Sequence, residues 1–367
     1  MNVILDNSIF QSNPIHSLSL FEIFALGWDE RHAILTNPPF DPAAEQPVNT
    51  WLTTLTDGLR KEAVQVLDQS IPLTLRRPRT TSRIRVVTAQ SDWATATINI
   101  RDAVRLMRTP LKLLLENSRN DFNFLLRLAS PTDRQDLKDA IKKGWIETEQ
   151  AGGLGEMKNI LLDLHTAPNA EISALIHKLR LWVMFDRDSE QADRSKPSKA
   201  SEEVLGLCSE IANQKPWPLQ FCQLGRRSIE NYIPIEALRY WQNEASGSTH
   251  TERRRKVEAL ASLSKKNPQA RWQYNMKSGL LGDLRKEQVK EIEQQGRSLR
   301  DTDLDPLFTG LTEQERTSLA EGFGKDIASL YLHHISSWET SFDLEYQQGP
   351  AHQPARPALL FSLFSRM

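Results

Sequence analysis

Hydrophobic positions along the chain follow three rhythms. Between residues 50 and 68 they recur at helical spacing, at Trp51, Leu52, Leu55, Leu59, Val64, Val66 and Leu67, which predicts an amphipathic helix. Ile84-Arg85-Val86-Val87-Thr88 and Ala94-Thr95-Ala96-Thr97-Ile98-Asn99-Ile100 read as short strands, with Gln90-Ser91-Asp92 between them. That arrangement predicts a hairpin. From Pro110 onward short apolar runs take over, chiefly Leu111-Lys112-Leu113-Leu114-Leu115 and Leu179-Arg180-Leu181-Trp182-Val183-Met184-Phe185. Such runs suit strands buried on both faces. Further strands are expected at 145–148 and 219–224, and helices at 121–128, 132–143, 156–164 and 202–212.

Strands alternating with helices predict a parallel α/β sheet. After Pro234 the pattern is almost wholly helical. The chain therefore divides into an N-terminal α+β region (1–107), an α/β domain (108–240) and a mostly helical C-terminal region (241–367). Residues 193–201, partly rich in Ser, Lys and Pro, read as a mobile loop. Residues 347–357, rich in Pro, Gln and His, read as loose. No internal repeat is evident.

Composition changes this picture little. The 367 residues are 39% hydrophobic and 25% charged, with a net charge of -1, as in an ordinary globular protein of about two domains. Cys208 and Cys222 lack the paired spacing of a zinc site, and so few thiols fit a reducing compartment. No stretch approaches the roughly 18 apolar residues of a membrane helix. The first six residues show neither a basic nor a long apolar segment, so no signal peptide is expected and the cytoplasm is the expected location.

Candidate chemistry lies at the strand ends. Asp186 and Asp188 follow the run that ends at Phe185. On an extended chain, residues two apart face the same side, so both carboxylates would face one small volume with Arg187 turned aside. Carboxylates held together repel unless a proton or cation neutralises them, and a hard divalent cation is the natural partner. Glu116 follows the strand at 111–115, and Glu230 follows the one at 219–224. The carboxyl ends of a parallel sheet open on one crevice, so these distant acids can meet.

A strand ending in Glu and a later one ending in Asp-x-Asp resemble the TOPRIM fold of topoisomerases, primases and related nucleases. Glu116-Asn117-Ser118 with Asn120-Asp121, Phe185-Asp186-Arg187-Asp188 and Ile229-Glu230-Asn231-Tyr232 are similar to the TOPRIM nucleases of the overcoming-lysogenization-defect kind and to related prokaryotic defence effectors. Glycines 152, 153 and 155 fit the turn after the second strand. The resemblance spans residues 108–235. It implies a Mg²⁺- or Mn²⁺-dependent phosphodiester hydrolase with two ions. Glu116, Asp186 and Asp188 would hold metal, Glu230 would help hold the second ion, and Asp121 is a further candidate ligand. By similarity, Lys277 in Tyr274-Asn275-Met276-Lys277-Ser278-Gly279 would steady developing charge.

The substrate implied is nucleic acid, double-stranded DNA first, with RNA open. Nucleases of this kind often work with an ATPase. The chain has no Gly-x-x-x-x-Gly-Lys-Ser/Thr loop, so such an ATPase would be a separate subunit. Homo-oligomerisation is left open, and no membrane partner is expected. A topoisomerase would need a tyrosine nucleophile, which nothing marks, although Tyr232 is not excluded. A primase would bring a zinc module. A scaffold with a degenerate site is the non-catalytic alternative, against which the intact acidic set argues.

Residues 251–290 hold 11 Lys/Arg and 4 Asp/Glu. They include Arg253, Arg254, Arg255 and Lys256, with Trp272 and Tyr274 nearby, a candidate surface for a phosphate backbone. Arg226 and Arg227, beside Glu230, are placed to contact the scissile phosphate. Asn37-Pro38-Pro39-Phe40 matches the short motif of amino-group DNA methyltransferases, but no Gly-rich loop accompanies it, so a proline turn is expected there. Adjacent His333 and His334 would face different directions on a helix. Ile327, Leu330, Tyr331, Ile335 and Trp338 read as a core stripe.

Overall fold

The computed structural model describes residues 1–11, 17–36, 46–76, 81–167, 171–190, 193–213, 219–333, 346–347 and 356–367. The Asn37-Pro38-Pro39-Phe40 motif, His334, Ile335 and Trp338 lie outside them, as does most of 347–357.

The chain is an α/β protein with two four-stranded sheets, both all-parallel. The first contains β1 (Asn2–Leu5), β2 (Ala33–Thr36), β3 (Arg83–Val87) and β4 (Thr97–Asn99), in the order β2-β1-β3-β4. The second contains β5 (Leu111–Leu115), β6 (Ile146–Gln150), β7 (Leu181–Phe185) and β8 (Gln220–Gln223), in the order β6-β5-β7-β8. The two sheets thus share one strand order, although the sequence shows no repeat.

The unbroken apolar runs became the central strands. All five residues of β7 are buried, and four of five in β5, the exception being Lys112. Lys112 reaches Glu149 on the neighbouring strand at 3.2 Å. One face of this sheet packs on the helices Leu154–Thr166 and Lys199–Asn213. The opposite face shares a continuous core with the C-terminal helical region, through residues such as Trp182, Leu260, Tyr274, Tyr331 and Leu360. Trp182 also donates its indole N–H to the Ser362 hydroxyl at 3.0 Å. The described part of the C-terminal region therefore completes the core of the second sheet. The first sheet has its own core, which Ile176 and Leu179 join.

Several local expectations are corrected. The expected helix at 50–68 is two, Gln46–Thr53 and Asp57–Arg76. The Thr53 and Thr54 hydroxyls turn back onto the Thr50 and Trp51 carbonyls at the break. The expected hairpin is absent: β3 and β4 pair in parallel. Asp92 caps a 3₁₀ turn at Trp93–Thr95, and left-handed Ala96 (φ 59°) reverses the chain before β4. The region at 1–107 is accordingly a parallel α/β layer, not a hairpin-containing α+β one.

The expected mobile loop at 193–201 is anchored where it is described. Arg194 is buried, its amide bonds Asp305 at 3.1 Å, and the helix begins at Lys199. Ile327, Leu330 and Tyr331 are core as expected.

Candidate functional site

The order of the second sheet reverses between β5 and β7, so the crevice at their carboxyl ends is the switch point where parallel sheets bind ligands. Glu116 and Asp186 are the first residues beyond these neighbouring strands. Glu116 Oε1 accepts the Asp186 amide at 2.8 Å. Asp186 Oδ1 accepts the Ile229 amide at 3.3 Å, which ties the strand ends to the turn carrying Glu230. Asp121 enters on the first turn of the helix Ser118–Leu128, and its carboxylate accepts the Asn117 amide at 2.9 Å.

Asp188 reaches the site by a route other than the one expected. β7 stops at Phe185, so Asp186 and Asp188 are not alternate residues of one strand. Asp188 instead adopts a left-handed backbone (φ 49°), and its amide donates to the Arg227 carbonyl at 2.7 Å. Arg187 does turn aside, to Gln273 and the Ser195 carbonyl.

Glu230 lies in the 3₁₀ helix Ile229–Tyr232 and is only 3% exposed. Lys277 comes from far along the chain to meet its Oε1 at 3.1 Å. Glu230 Oε2, although buried, has no hydrogen-bond partner among the described residues. A buried carboxylate oxygen without a partner costs free energy and marks a position where a further cation or donor would be welcome.

The electrostatics show the same convergence. Burial pushes Glu116 up to about 7, with Asp188 and Asp121 adding to the rise against the Asp186 amide and Lys277. Burial also pushes Asp121 up to about 7, and Glu230 contributes. Asp186 is raised well above the usual carboxylate range by burial and then by Glu116, Glu230 and Asp121. Asp188 is raised by burial, against the opposing pull of Arg227 and Lys277. Burial works against the Lys277 charge, but Glu230, Asp186 and Asp188 more than offset it and raise this group. Five carboxylates thus lie within electrostatic reach of one another, with Lys277 paired to Glu230.

The donor set is all hard oxygen, the kind Mg²⁺ and Mn²⁺ prefer. Among the described residues, no three His, Cys, Asp or Glu side chains stand close enough together to ligate one ion as placed. Glu116, Asp186 and Asp121 spend oxygens on backbone amides, and Lys277 occupies Glu230 Oε1. The fit is therefore one of donor type, convergence and unmet charge.

The arginines expected at the phosphate already have partners within the fold. Arg226 bonds the Asn231 carbonyl at 2.9 Å and lies over the rings of Tyr232 and Trp272. Arg227 pairs with Asp283 at 2.8 Å. Most of the basic run is likewise engaged. Arg253 lies over Trp241 and bonds its carbonyl, Arg254 pairs with Glu258, and Lys256 pairs with Glu252 and bonds the Gly322 carbonyl. Arg255 is exposed. Arg253 and Lys256 thus help pack the helix, while Arg254 and Arg255 stay at its surface.

Several positioning residues carry no local signal. Fully buried Asn231 holds Ser228 on one side and the Arg271 and Tyr274 carbonyls on the other, joining the Glu230 turn to the segment that leads to Lys277. Tyr331 donates to the Ile229 carbonyl at 2.7 Å from the C-terminal region. Gly322 lets two backbones touch: a Cβ there would overlap the carbonyl of Lys277 and the amide of Ser278. Gly322→Ala is expected to cost about 1–3 kcal/mol by this overpacking, measurable as a lower urea midpoint at unchanged slope.

No protein family, curated protein or solved structure matches the chain. No helix among the described residues is long and apolar enough to cross a membrane.

Proposed function

We propose that this protein is a TOPRIM-type, Mg²⁺- or Mn²⁺-dependent nuclease that hydrolyses phosphodiester bonds of DNA. The observation that carries this reading is the meeting of Glu116, Asp186, Asp188, Glu230 and Asp121 with Lys277 at the switch point of a parallel sheet. Glu116, Asp186 and Asp188 would hold one ion, and Glu230 with Asp121 a second. Bound there, divalent cations would supply Lewis-acid stabilisation and water activation.

The remaining work falls to the chain itself. Asp186 and Glu116 are held in register by backbone amides at the strand ends. Lys277 carries a positive charge into the cluster and is half-exposed, so it can also face a phosphate. Repulsion among the carboxylates favours filling the site with cations over leaving it bare. An ATPase subunit would act in trans, and defence against foreign DNA in the cytoplasm is the biological setting the resemblance implies.

The test is cleavage of supercoiled plasmid, with an RNA of equal length alongside, in Mg²⁺ or Mn²⁺ and in EDTA. Calorimetric titration with Mn²⁺ runs in parallel. Metal-dependent nicking that is lost in Glu116→Ala and Asp186→Ala is the expected result. Cleavage that survives both substitutions, or a wild-type protein that binds no Mn²⁺, removes the assignment.

A further inference from the structure

Three loops bring Asp188, Glu230 and Lys277 together: the first two follow the paired strands β7 and β8, and the third comes from the helical region, which no strand pairing joins to them. One residue outside the acidic cluster touches a support of each. Asp283 ends the 3₁₀ helix Leu281–Asp283, and its side chain is 10% exposed. Its Oδ2 accepts Arg227 Nη1 at 2.8 Å. Its Oδ1 accepts Asn275 Nδ2 at 3.0 Å and lies 3.8 Å from Arg194 Nη1. Its backbone carbonyl accepts Arg194 Nη2 at 2.7 Å.

Each arm ends at or beside a site residue. The Arg227 carbonyl accepts the amide of Asp188, and Arg227 stands three positions before Glu230. Arg194 Nη1 donates to the carbonyl of Ser189, next to Asp188, at 3.4 Å. The other end of the Asn275 side chain accepts the amide of Ser278, next to Lys277, at 3.0 Å. A carboxylate accepts on both oxygens and donates on neither, so it can serve Arg227 and Asn275 at once, while Arg194 bonds the Asp283 backbone carbonyl and pairs with the carboxylate by charge. Charge-assisted bonds of this kind are short and directional, which suits the setting of loop geometry.

We propose that Asp283 is the positioning residue of this site: it sets the mutual register of the loops bearing Asp188, Glu230 and Lys277 without itself ligating metal. This rests on the proposed nuclease reading for its consequence, but not for its geometry. It also accounts for the left-handed backbone of Asp188. A non-glycine residue holds that conformation only when its surroundings fix it, and the Arg227 carbonyl and Arg194 do so from either side.

The decisive variants are Asp283→Asn and the exchange Asp283→Asn with Asn275→Asp. The single variant places a donor amide where only donors arrive, so at least one arm opens. The exchange restores a donor–acceptor match between positions 275 and 283, and the amide side chain introduced at 283 keeps one oxygen for Arg227. Amide hydrogen exchange needs neither metal nor substrate. In Asp283→Asn the amides of Asp188 and Ser278, 90 positions apart (278 minus 188), should lose protection together. Val86 and Ile98 in the first sheet should keep theirs, and the exchanged pair should recover most of the lost protection. Mn²⁺ affinity should fall about 10- to 100-fold in the single variant, as for other supports of metal ligands, and KM for DNA should hold while kcat falls.

Wild-type exchange at both amides in Asp283→Asn overturns the proposal. So does loss of protection throughout the chain, which would make Asp283 a general stabiliser, and so does failure of the exchanged pair to recover. A wild-type protein that binds no Mn²⁺ and cuts no DNA, yet shows the expected exchange pattern, overturns the nuclease reading and leaves the positioning role standing.

Discussion

Asp186→Asn is expected to abolish metal-dependent cleavage while making the metal-free protein more stable. The Asp186 carboxylate is disfavoured by burial and then by Glu116, Glu230 and Asp121. An amide has the same shape, keeps an oxygen for the Ile229 amide and carries no charge. In EDTA the variant therefore sheds repulsion without opening a cavity, and gains stability. With metal the balance reverses. An anionic ligand worth several kcal/mol of transition-state stabilisation is gone, and at about 1.4 kcal/mol per factor of ten the rate falls by roughly 10³. Calorimetric melting in EDTA and plasmid nicking in Mg²⁺, on one preparation, read both effects. Full activity in the variant sinks the functional assignment. A lower melting temperature in EDTA shows that Asp186 is a structural partner.

Crowding like charges costs stability, and much of this acidic cluster was legible in the sequence. β5 and β7 were visible because strands buried on both faces need unbroken apolar residues, and the run ending at Leu115 coincides with β5. With those strands as parallel neighbours in the register Leu115 to Met184, Glu116 and Asp186 fall one residue out of step at the same sheet edge. Asp188 was found for a reason that does not hold. The side-chain alternation of a strand ends where the strand ends, and the turn that replaces it is fixed by Arg227 and Arg194.

The first sheet was misread for a related reason. A short strand pattern reports strand character, not strand direction, and the reversal at Asp92–Ala96 serves a parallel pair as well as a hairpin. The arginines illustrate a second limit. In sequence Arg226 looks like a free cation beside a site, and Arg253 like part of a free basic surface. Their aromatic partners and carbonyl acceptors become visible only once the chain is folded. Asp283 lies beyond sequence reasoning altogether, because its partners stand at 194, 227 and 275.

The metal-free protein should lose stability as pH rises from about 4.5 through 7, and millimolar Mg²⁺ should restore it at neutral pH but not at pH 5. Glu116 and Asp121 sit at about 7 in the fold, above their ordinary values of 4.5 and 3.8. Between those limits the native state binds more protons than the unfolded chain, so the derivative of unfolding free energy with pH is negative. The loss is small below pH 4.5, grows through 5 to 7 and is complete above, on the order of a few kcal/mol for two such groups. Buried His32 works in the opposite direction: burial first, then the N-terminal amine, hold it well below its usual range, so it favours the fold as pH rises toward 6.5. The double variant Glu116→Gln/Asp121→Asn separates the two, since it keeps the His32 contribution and removes that of Glu116 and Asp121. Wild type minus variant, from urea unfolding at pH 5, 6, 7 and 8 in EDTA, should fall steadily. The same difference in Mg²⁺ should flatten or change sign, because cations bind the ionised carboxylates and protons compete with them. A difference independent of pH in EDTA would mean that these carboxylates are not crowded as the structure has them. An equal gain from Mg²⁺ at pH 5 and pH 8 would place the metal elsewhere in the protein.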